Sequence, residues 1–337
     1  MKTRLRRIAY HYLLVVVLIV GAVLLVWSPS DAGTRTLRAG TLHFPVAPMA
    51  KMFDFFADRV FELTDGELRV SVHHARALGD ARELVEYLRL GTVDFAHPPV
   101  ANLSQIVPKI DVLSLPFLFK NNRHYWAFLH SGTARKLLEP LNEKGITPLC
   151  WMDAGTRDFF TRSKPIRTPD DVKGMKIRVM ASPIMVGTIN ALGGTGVAMA
   201  ASEVYSALQT GVIDGAENAP NMYYSYRFYE VTDYFSETGH FMSPDVLAIS
   251  KKTWDSLSTN HKDAIRKAAA EAEAYLRGAD GTFTEFSLAE IKKMNKLVQN
   301  IDKAPFQKAL AGFVAEQAKK LGAEDVVATI RAIGEQY

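Results

Sequence analysis

Two stretches decide how this chain is read: LRLGTVDFA at 88–96 and LQTGVIDGA at 208–216, which share Leu-x-x-Gly-x-x-Asp-x-Ala at a spacing of 120 residues. Each reads as a helix end, a glycine free to take the left-handed conformation that stops a helix, and a strand whose far end delivers a loop. Such loops are where ligands bind in α/β sheets. Two units of one architecture explain the echo. So does coincidence, because this helix-to-strand transition is a common one.

Working outward from the first copy, 37–42 is a short strand-like run, and Met52, Phe53, Phe56, Val60 and Leu63 are spaced as one helix face. Thr64-Asp65-Gly66 signals a turn, after which Leu68, Val70 and Val72 alternate with polar residues as in a half-buried strand. A helix from about 80 to 90 ends at Gly91, and a strand begins within 92–96. This alternation argues for parallel sheets covered by helices.

Between the copies, Thr168-Pro169-Asp170-Asp171 has the N-cap, proline and acid of a strong helix start, and the short helix stops at Gly174. Lys176-Ile177-Arg178-Val179 is a strand with two cations on one face and two branched apolar residues on the other. From 252 to about 277 an apolar stripe of Ile265, Ala268, Ala269, Ala272, Tyr275 and Leu276 predicts a helix. The period resumes over 283–298, giving a nearly continuous helix unless Gly278 and Gly281 break it. Two further short helices are expected in 306–337.

The 337 residues suggest about two domains, and 48% hydrophobic with 23% charged residues is ordinary globular composition. The only cysteine, Cys150, rules out an internal disulfide and any metal site built from several thiolates. Of the net charge of +4, Lys2, Arg4, Arg6, Arg7 and Asp31 account for +3, leaving +1 for the rest and no basic footprint for nucleic acid. Behind that cationic cluster, 13–27 carries no polar side chain. Ser30 and Ala32 before Gly33 fit a secretory signal peptide over 1–32, cut after Ala32. The alternative is an uncleaved anchor, since 8–27 is about long enough to span a bilayer. Either way the body is exported, and no cysteine near the apolar run offers a lipoprotein anchor.

Motifs for chemistry are missing: there is no GxSxG, HExxH, CxxC or Walker-type loop, and Gly193-Gly194-Thr195-Gly196 lacks the lysine and later glycine of a phosphate cradle. His73 and His74 are adjacent and leave a strand on opposite faces, which does not make a metal site. His43, His97 and His240 fall in or beside expected strand-end loops, where each can give a ligand one hydrogen bond or serve as an ordinary loop histidine. What remains is binding chemistry. Arg157, Arg178 and Asn218 form a set suited to a carboxylate, because a guanidinium offers a planar fork matching two oxygens and an amide adds a further bond. Spacing alone leaves open that the arginines are ordinary surface residues.

Six ordered segments carry a resemblance: LGDARELVEYLRLGTVDFA (78–96), LPFLF (115–119), GTRDFFTRSKPIRTPDDVKGMKIRV (155–179), SEVYSALQTGVIDGAEN (202–218), YEV (229–231) and TGHFMSPDVLAIS (238–250). From about Leu37 to Tyr337 the chain resembles the DctP-like solute-binding receptors of tripartite ATP-independent periplasmic (TRAP) transporters. The resemblance implies a monomeric periplasmic receptor without catalytic activity or cofactor, with two α/β domains around a cleft and a long helix spanning both. The domains are expected to be discontinuous, 33–154 with 244–282 and 155–243 with 283–337. It implies that Arg178 pairs with a ligand carboxylate, joined by Arg157 and Asn218. Glu203 is implied as a helix-start acid holding the arginine region, and His240 as a residue near the hinge. The implied partners are a small organic acid and the membrane permease subunits of a TRAP transporter, not nucleic acid.

For the ligand, Pro98, Pro99 and Ala201 stand where receptors for sialic acid carry an acid and an aromatic. Arg82 and Glu83 in LGDARE look more like receptors for sugar acids such as uronates. His43, His74, Glu83, His97 and Trp151 are then candidates to line that side. The expected order is sugar acid, then C4-dicarboxylate, then keto or aromatic acids. A sensor built on the same fold is the other reading, and an anchored enzyme with His97 or His240 as base is the competing class.

Overall fold

The structure, a computed structural model, describes residues 33–337. The leader, and with it the choice between signal peptide and anchor, lies outside the described residues. Among the described residues no helix is long and apolar enough to cross a membrane.

The first echo is helix α2 (Ala81–Leu90), Gly91 at φ +73° and strand β3 (Phe95–Ala96), preceded by β1 (Arg35–Gly40), α1 (Pro48–Leu63) and β2 (Leu68–His73). Past α3 (Val100–Leu103), α4 (Asn122–Leu129) and α5 (Gly132–Leu138) come the long β4 (Ile146–Thr161), β5 (Lys176–Val179), α6 (Pro183–Ala191) and β6 (Thr195–Ala198). The second echo is α7 (Val204–Thr210), Gly211 at φ +77° and β7 (Gly215–Asn218).

The echo has a structural cause. Asp94 accepts the backbone N–H of Arg38 at 2.7 Å, and Asp214 accepts that of Lys176 at 2.7 Å, so each shared aspartate ties its strand to the neighbouring one. The shared Leu88, Leu208, Ala96 and Ala216 are all fully buried. In both units the neighbour is parallel, β1 to β3 and β5 to β7.

The centre of the sheet departs from the expected parallel pattern. After α8 (Pro220–Ser225), the 17-residue β8 (Tyr234–Ser250) runs antiparallel to both β3 and β4, and β4 runs antiparallel to β7. The described strands form one sheet in the order β2-β1-β3-β8-β4-β7-β5-β6, with β9 (Leu297–Val298) parallel to β8. Two long strands thus weld the two parallel units together, which local periodicity does not show.

Following the short α9 (Lys251–Asp255), helix α10 runs unbroken for 35 residues, Thr259–Lys293, roughly 52 Å. Gly278 and Gly281 do not interrupt it, and a Cβ at either would meet nothing within 4 Å. Ile265, Ala268, Ala269, Ala272 and Leu276 pack with Phe53, Phe56 and Leu37 beside the first unit. Tyr275 leaves that stripe for the rim, stacked on Phe55 at 4.8 Å. Farther along, Ile291 joins Phe160, Leu208 and Phe235 beside the second. One helix therefore touches the cores of both units. The chain ends in α11 (Ala304–Lys320) and α12 (Glu324–Gly334). Phe306 and Leu310 of α11 close the core under β5, and Ile330 of α12 packs with Tyr125 and Phe128.

Candidate functional site

A cleft of about 790 Å³ opens at the loops leaving the parallel units, within the roughly 300–1,000 Å³ usual for small-molecule sites. Arg157, Arg178, Asn218, His43, Glu83 and Glu203 all line it. They come from strand β4, strand β5, the end of β7, the loop after β1 and two helix starts.

Arg157 reaches the cleft from β4 just past a bulge. Gly155, at φ +83°, donates its N–H to Asp153 Oδ1 at 2.8 Å, and a Cβ there would sit 2.8 Å from that of Ala219, so the tight bend requires glycine. Because β4 pairs with β7 in the register Asp158 to Asn218, the guanidinium lies over Glu217 and Asn218. Its Nε and Nη2 grip the Glu217 carboxylate, Nη2 also donates to the Glu217 carbonyl at 3.0 Å, and Nη1 donates to Asn218 Oδ1 at 2.9 Å. Both partners are buried, Glu217 completely. This arginine arrives with its counter-charge.

Arg178 arrives without one. Its Nε and Nη2 both donate to the Met199 carbonyl, at 2.9 and 2.8 Å, and among the described residues no carboxylate forms an ion pair with it. It is 5% exposed, and burial pushes its pKa down to about 10, with Glu217 pulling the other way. A buried cation lacking an anion is costly, so a carboxylate entering beside it gains charge-assisted hydrogen bonds and removes an unpaired charge.

The two acids at the cleft rim serve helix caps. Glu83 accepts the Asp80 N–H at 3.1 Å, closing the capping box of α2, and Glu203 accepts the Ala200 N–H at 3.2 Å. His97 lies behind the lining and is fully buried. Its Nδ1 meets Asp245 at 2.9 Å, while Nε2 takes the Leu42 N–H at 3.3 Å and meets Thr41 Oγ1 at 2.9 Å. Accepting at Nε2 leaves the neutral ring to donate from Nδ1. His97 thus holds Asp245, which does line the cleft and whose pKa burial pushes up to about 8. His43, His97 and Asp245 are close enough together for a cation site, but both nitrogens of His97 are already engaged.

The structure moves the other candidates away from the cleft lining. His74 bonds Asp54 at 2.9 Å, and Trp151 is buried in the core with Ile146 and Val246. His240 is inside β8 rather than in a strand-end loop, stacked on Phe159 at 3.9 Å with Nδ1 against Thr238. Strand β8 continues through the position where a loop was expected because β4 pairs with it across Thr156 to Met242 and Arg157 to Phe241. Sequence reasoning missed Glu217, Asp245, Arg76 and Tyr226. Glu217 had a signal, standing between the second echo and Asn218.

Hydrogen bonds bridge the two walls: Tyr226 Oη to the Leu42 carbonyl at 3.0 Å, Ser202 N to Asp80 at 3.0 Å, and Gln105 Nε2 to the Ala181 carbonyl at 2.8 Å. A second cavity, about 1030 Å³, takes Asp158, which the strand turns away from its neighbour Arg157.

Residues 40–321 match the family model described as bacterial extracellular solute-binding protein, family 7, DctP. A solute-binding protein of Chromohalobacter salexigens is 35% identical over 288 residues, covering 85% of this chain and 86% of its own. Among solved structures, a TRAP periplasmic solute-binding protein of Sulfitobacter sp. NAS-14.1 with bound β-D-galacturonate is 36% identical, with a TM-score of 0.84 over 90% of this chain and 100% of that one. One from Roseobacter denitrificans with bound β-D-glucuronate is 34% identical, with a TM-score of 0.84 over 89% and 99%. The chain belongs to the DctP family, the periplasmic solute-binding proteins of TRAP transporters.

Proposed function

We propose that this chain is the extracytoplasmic receptor of a TRAP transporter for a sugar acid, a uronate foremost, whose carboxylate seats on Arg178. The observation that carries this reading is the contrast inside the cleft: Arg157 is already paired with Glu217, while the buried Arg178 has only a carbonyl. The relatives that hold galacturonate and glucuronate support the ligand class.

In this reading 33–154 with 244–282 and 155–243 with 283–337 act as two lobes. Ligand bridges them, and contacts made only in the closed form drive closing. The bonds from Tyr226, Ser202 and Gln105 are of the kind that would form then. The closed receptor, a periplasmic monomer released by cleavage after Ala32, presents its ligand to the permease unchanged. Arg178 holds the carboxylate end, beside Arg157 and Asn218, which line the same cleft.

The test is a thermal-shift series on protein purified from cells expressing the full chain, with D-galacturonate, D-glucuronate and succinate. A ligand at a hundredfold excess over its Kd stabilises by about 2.7 kcal/mol, readily seen as a shift in Tm. A large shift with a uronate, lost in Arg178→Ala, is expected. A shift with succinate alone would move the assignment to dicarboxylates, and a uronate shift persisting in the variant would remove Arg178 as the anchor. Mass spectrometry of the same protein reads whether its amino terminus is Gly33.

A further inference from the structure

Among the described residues, two of the buried side-chain nitrogen atoms without a hydrogen-bond partner belong to cleft-lining residues: His43 Nδ1 and Arg76 Nη1. Neither the echo nor the family segments single out Arg76. It sits in the loop after β2, where Ala75 and Arg76 both take the left-handed conformation, at φ +53° and +63°. Two consecutive non-glycine residues in that region are strained, and the loop is held there from outside. Ala75 donates to the His43 carbonyl at 2.8 Å and Arg76 to the Thr41 carbonyl at 3.0 Å. The turn therefore fixes Arg76 against the residues that follow β1.

The guanidinium lies over the ring of Tyr226 at 4.8 Å and that of Phe44 at 5.5 Å. Tyr226 is itself anchored to the Leu42 carbonyl, so the platform is rigid. Among the described residues no carboxylate forms an ion pair with Arg76; two aromatic faces partly offset its charge instead. Beside it, His43 is 5% exposed and kept neutral by burial, with the charge of Arg76 acting in the same direction. Other polar groups of the cleft are committed: Glu83 to Asp80, Asp80 to Ala81 and Ser202, Asn218 Oδ1 to Arg157 and Ala219.

We propose that Arg76 and His43 form a hydroxyl-reading subsite that recognises the polyol end of the acid held at Arg178, a deepening that rests on the sugar-acid reading above. A guanidinium only donates, and a neutral imidazole nitrogen beside it can accept, so the pair matches a group that does both. A hydroxyl does both. A second carboxylate only accepts, leaves the imidazole without a proton to take, and meets Asp80, which also lines this cleft.

The experiment is calorimetric titration of the full chain's purified product with D-galacturonate and with tetrahydropyran-2-carboxylate, which keeps ring and carboxylate but has no hydroxyls. Arg76→Met preserves much of the packing on the two rings. It is expected to weaken galacturonate by about 10- to 100-fold, the range for losing hydrogen bonds to a charged group, and to leave the hydroxyl-free acid unchanged. Arg76→Lys keeps the charge without the fork and should fall between wild type and Arg76→Met; it also serves if the methionine variant fails to fold. Arg178→Ala should weaken both ligands. Wild-type galacturonate affinity in both Arg76 variants would overturn the subsite while leaving the carboxylate anchor standing. Equal losses for both ligands would overturn it too, by showing that Arg76 acts on the site as a whole. If the wild type takes no uronate at all, the sugar-acid reading itself falls, and the subsite with it.

Discussion

Arg157 and Arg178 stand on β4 and β5, with β7 between them, and they solve the problem of a buried cation in opposite ways. Arg157 is closed on itself, its fork filled by a fully buried Glu217 and by Asn218. Arg178 is left open, tethered by two bonds to one carbonyl and with no carboxylate partner among the described residues. The first arrangement stabilises the protein and shapes the floor. In the proposed reading, the second leaves a charge for a bound anion to satisfy. Burial and residue type are the same in both; the difference between the structural role and the proposed binding role lies in who supplies the counter-charge.

The sharpest way to break this comparison is to remove each charge in turn. Arg157→Met strands Glu217 in the interior and is expected to cost about 3–5 kcal/mol in urea unfolding. Arg178→Met removes a charge that had no partner and should change stability by less than about 1 kcal/mol, while abolishing the uronate shift. Equal costs for the two would show that Arg178 is as much a structural residue as Arg157.

A smaller effect follows from the acids near Arg157. Burial pushes Asp158 up to about 8 even though the Gly239 N–H and the charges of Lys303 and Arg157 pull it down, and Glu237 pushes it up. A folded-state pKa above the ordinary 3.8 means the native protein holds that proton more tightly than the unfolded chain does. The associated stability is fully present below 3.8 and is lost as pH rises through about 8. Tm should therefore fall between pH 6 and 9, and Asp158→Asn, which can still accept from Gly239, should flatten that fall. An unchanged slope in the variant would place the titrating group elsewhere, Asp245 being the next to replace. Smallest of all, Asn218→Ala removes the bonds that Oδ1 accepts from Arg157 Nη1 and the Ala219 N–H and should lower stability by about 1–2 kcal/mol, with Glu217 keeping the guanidinium in place.

How much of this was legible follows from distance along the chain. The stops at Gly91 and Gly211, and the stripe of α10 apart from Tyr275, are set by neighbours within a few residues and are found where their pattern puts them. Gly278 and Gly281 show the limit of propensity: the flanking turns pack against two cores, and that outweighs the cost of two glycines in the middle. In the site, Arg157, Arg178 and Asn218 were visible as types suited to a carboxylate, and they do share one cleft. Glu83 was visible as a cleft acid and does line the cleft, while its carboxylate also closes a helix cap, which the cleft reading did not include. Asp245 was hidden because its partner His97 is 148 residues away, and Arg76 because its platform, Tyr226, comes from the other wall.

The sequence by itself determined the paired units, since a glycine stop, a buried leucine and a strand-tying aspartate act over a handful of residues in each copy. Tertiary structure alone decided that two long antiparallel strands join those units into one sheet, because register between β4 and β8 is a property of pairing across about a hundred residues. It also decided which arginine is left without a carboxylate partner among the described residues. A guanidinium's role depends on which oxygens lie within hydrogen-bond reach, and that is set by the packing of strands distant in sequence.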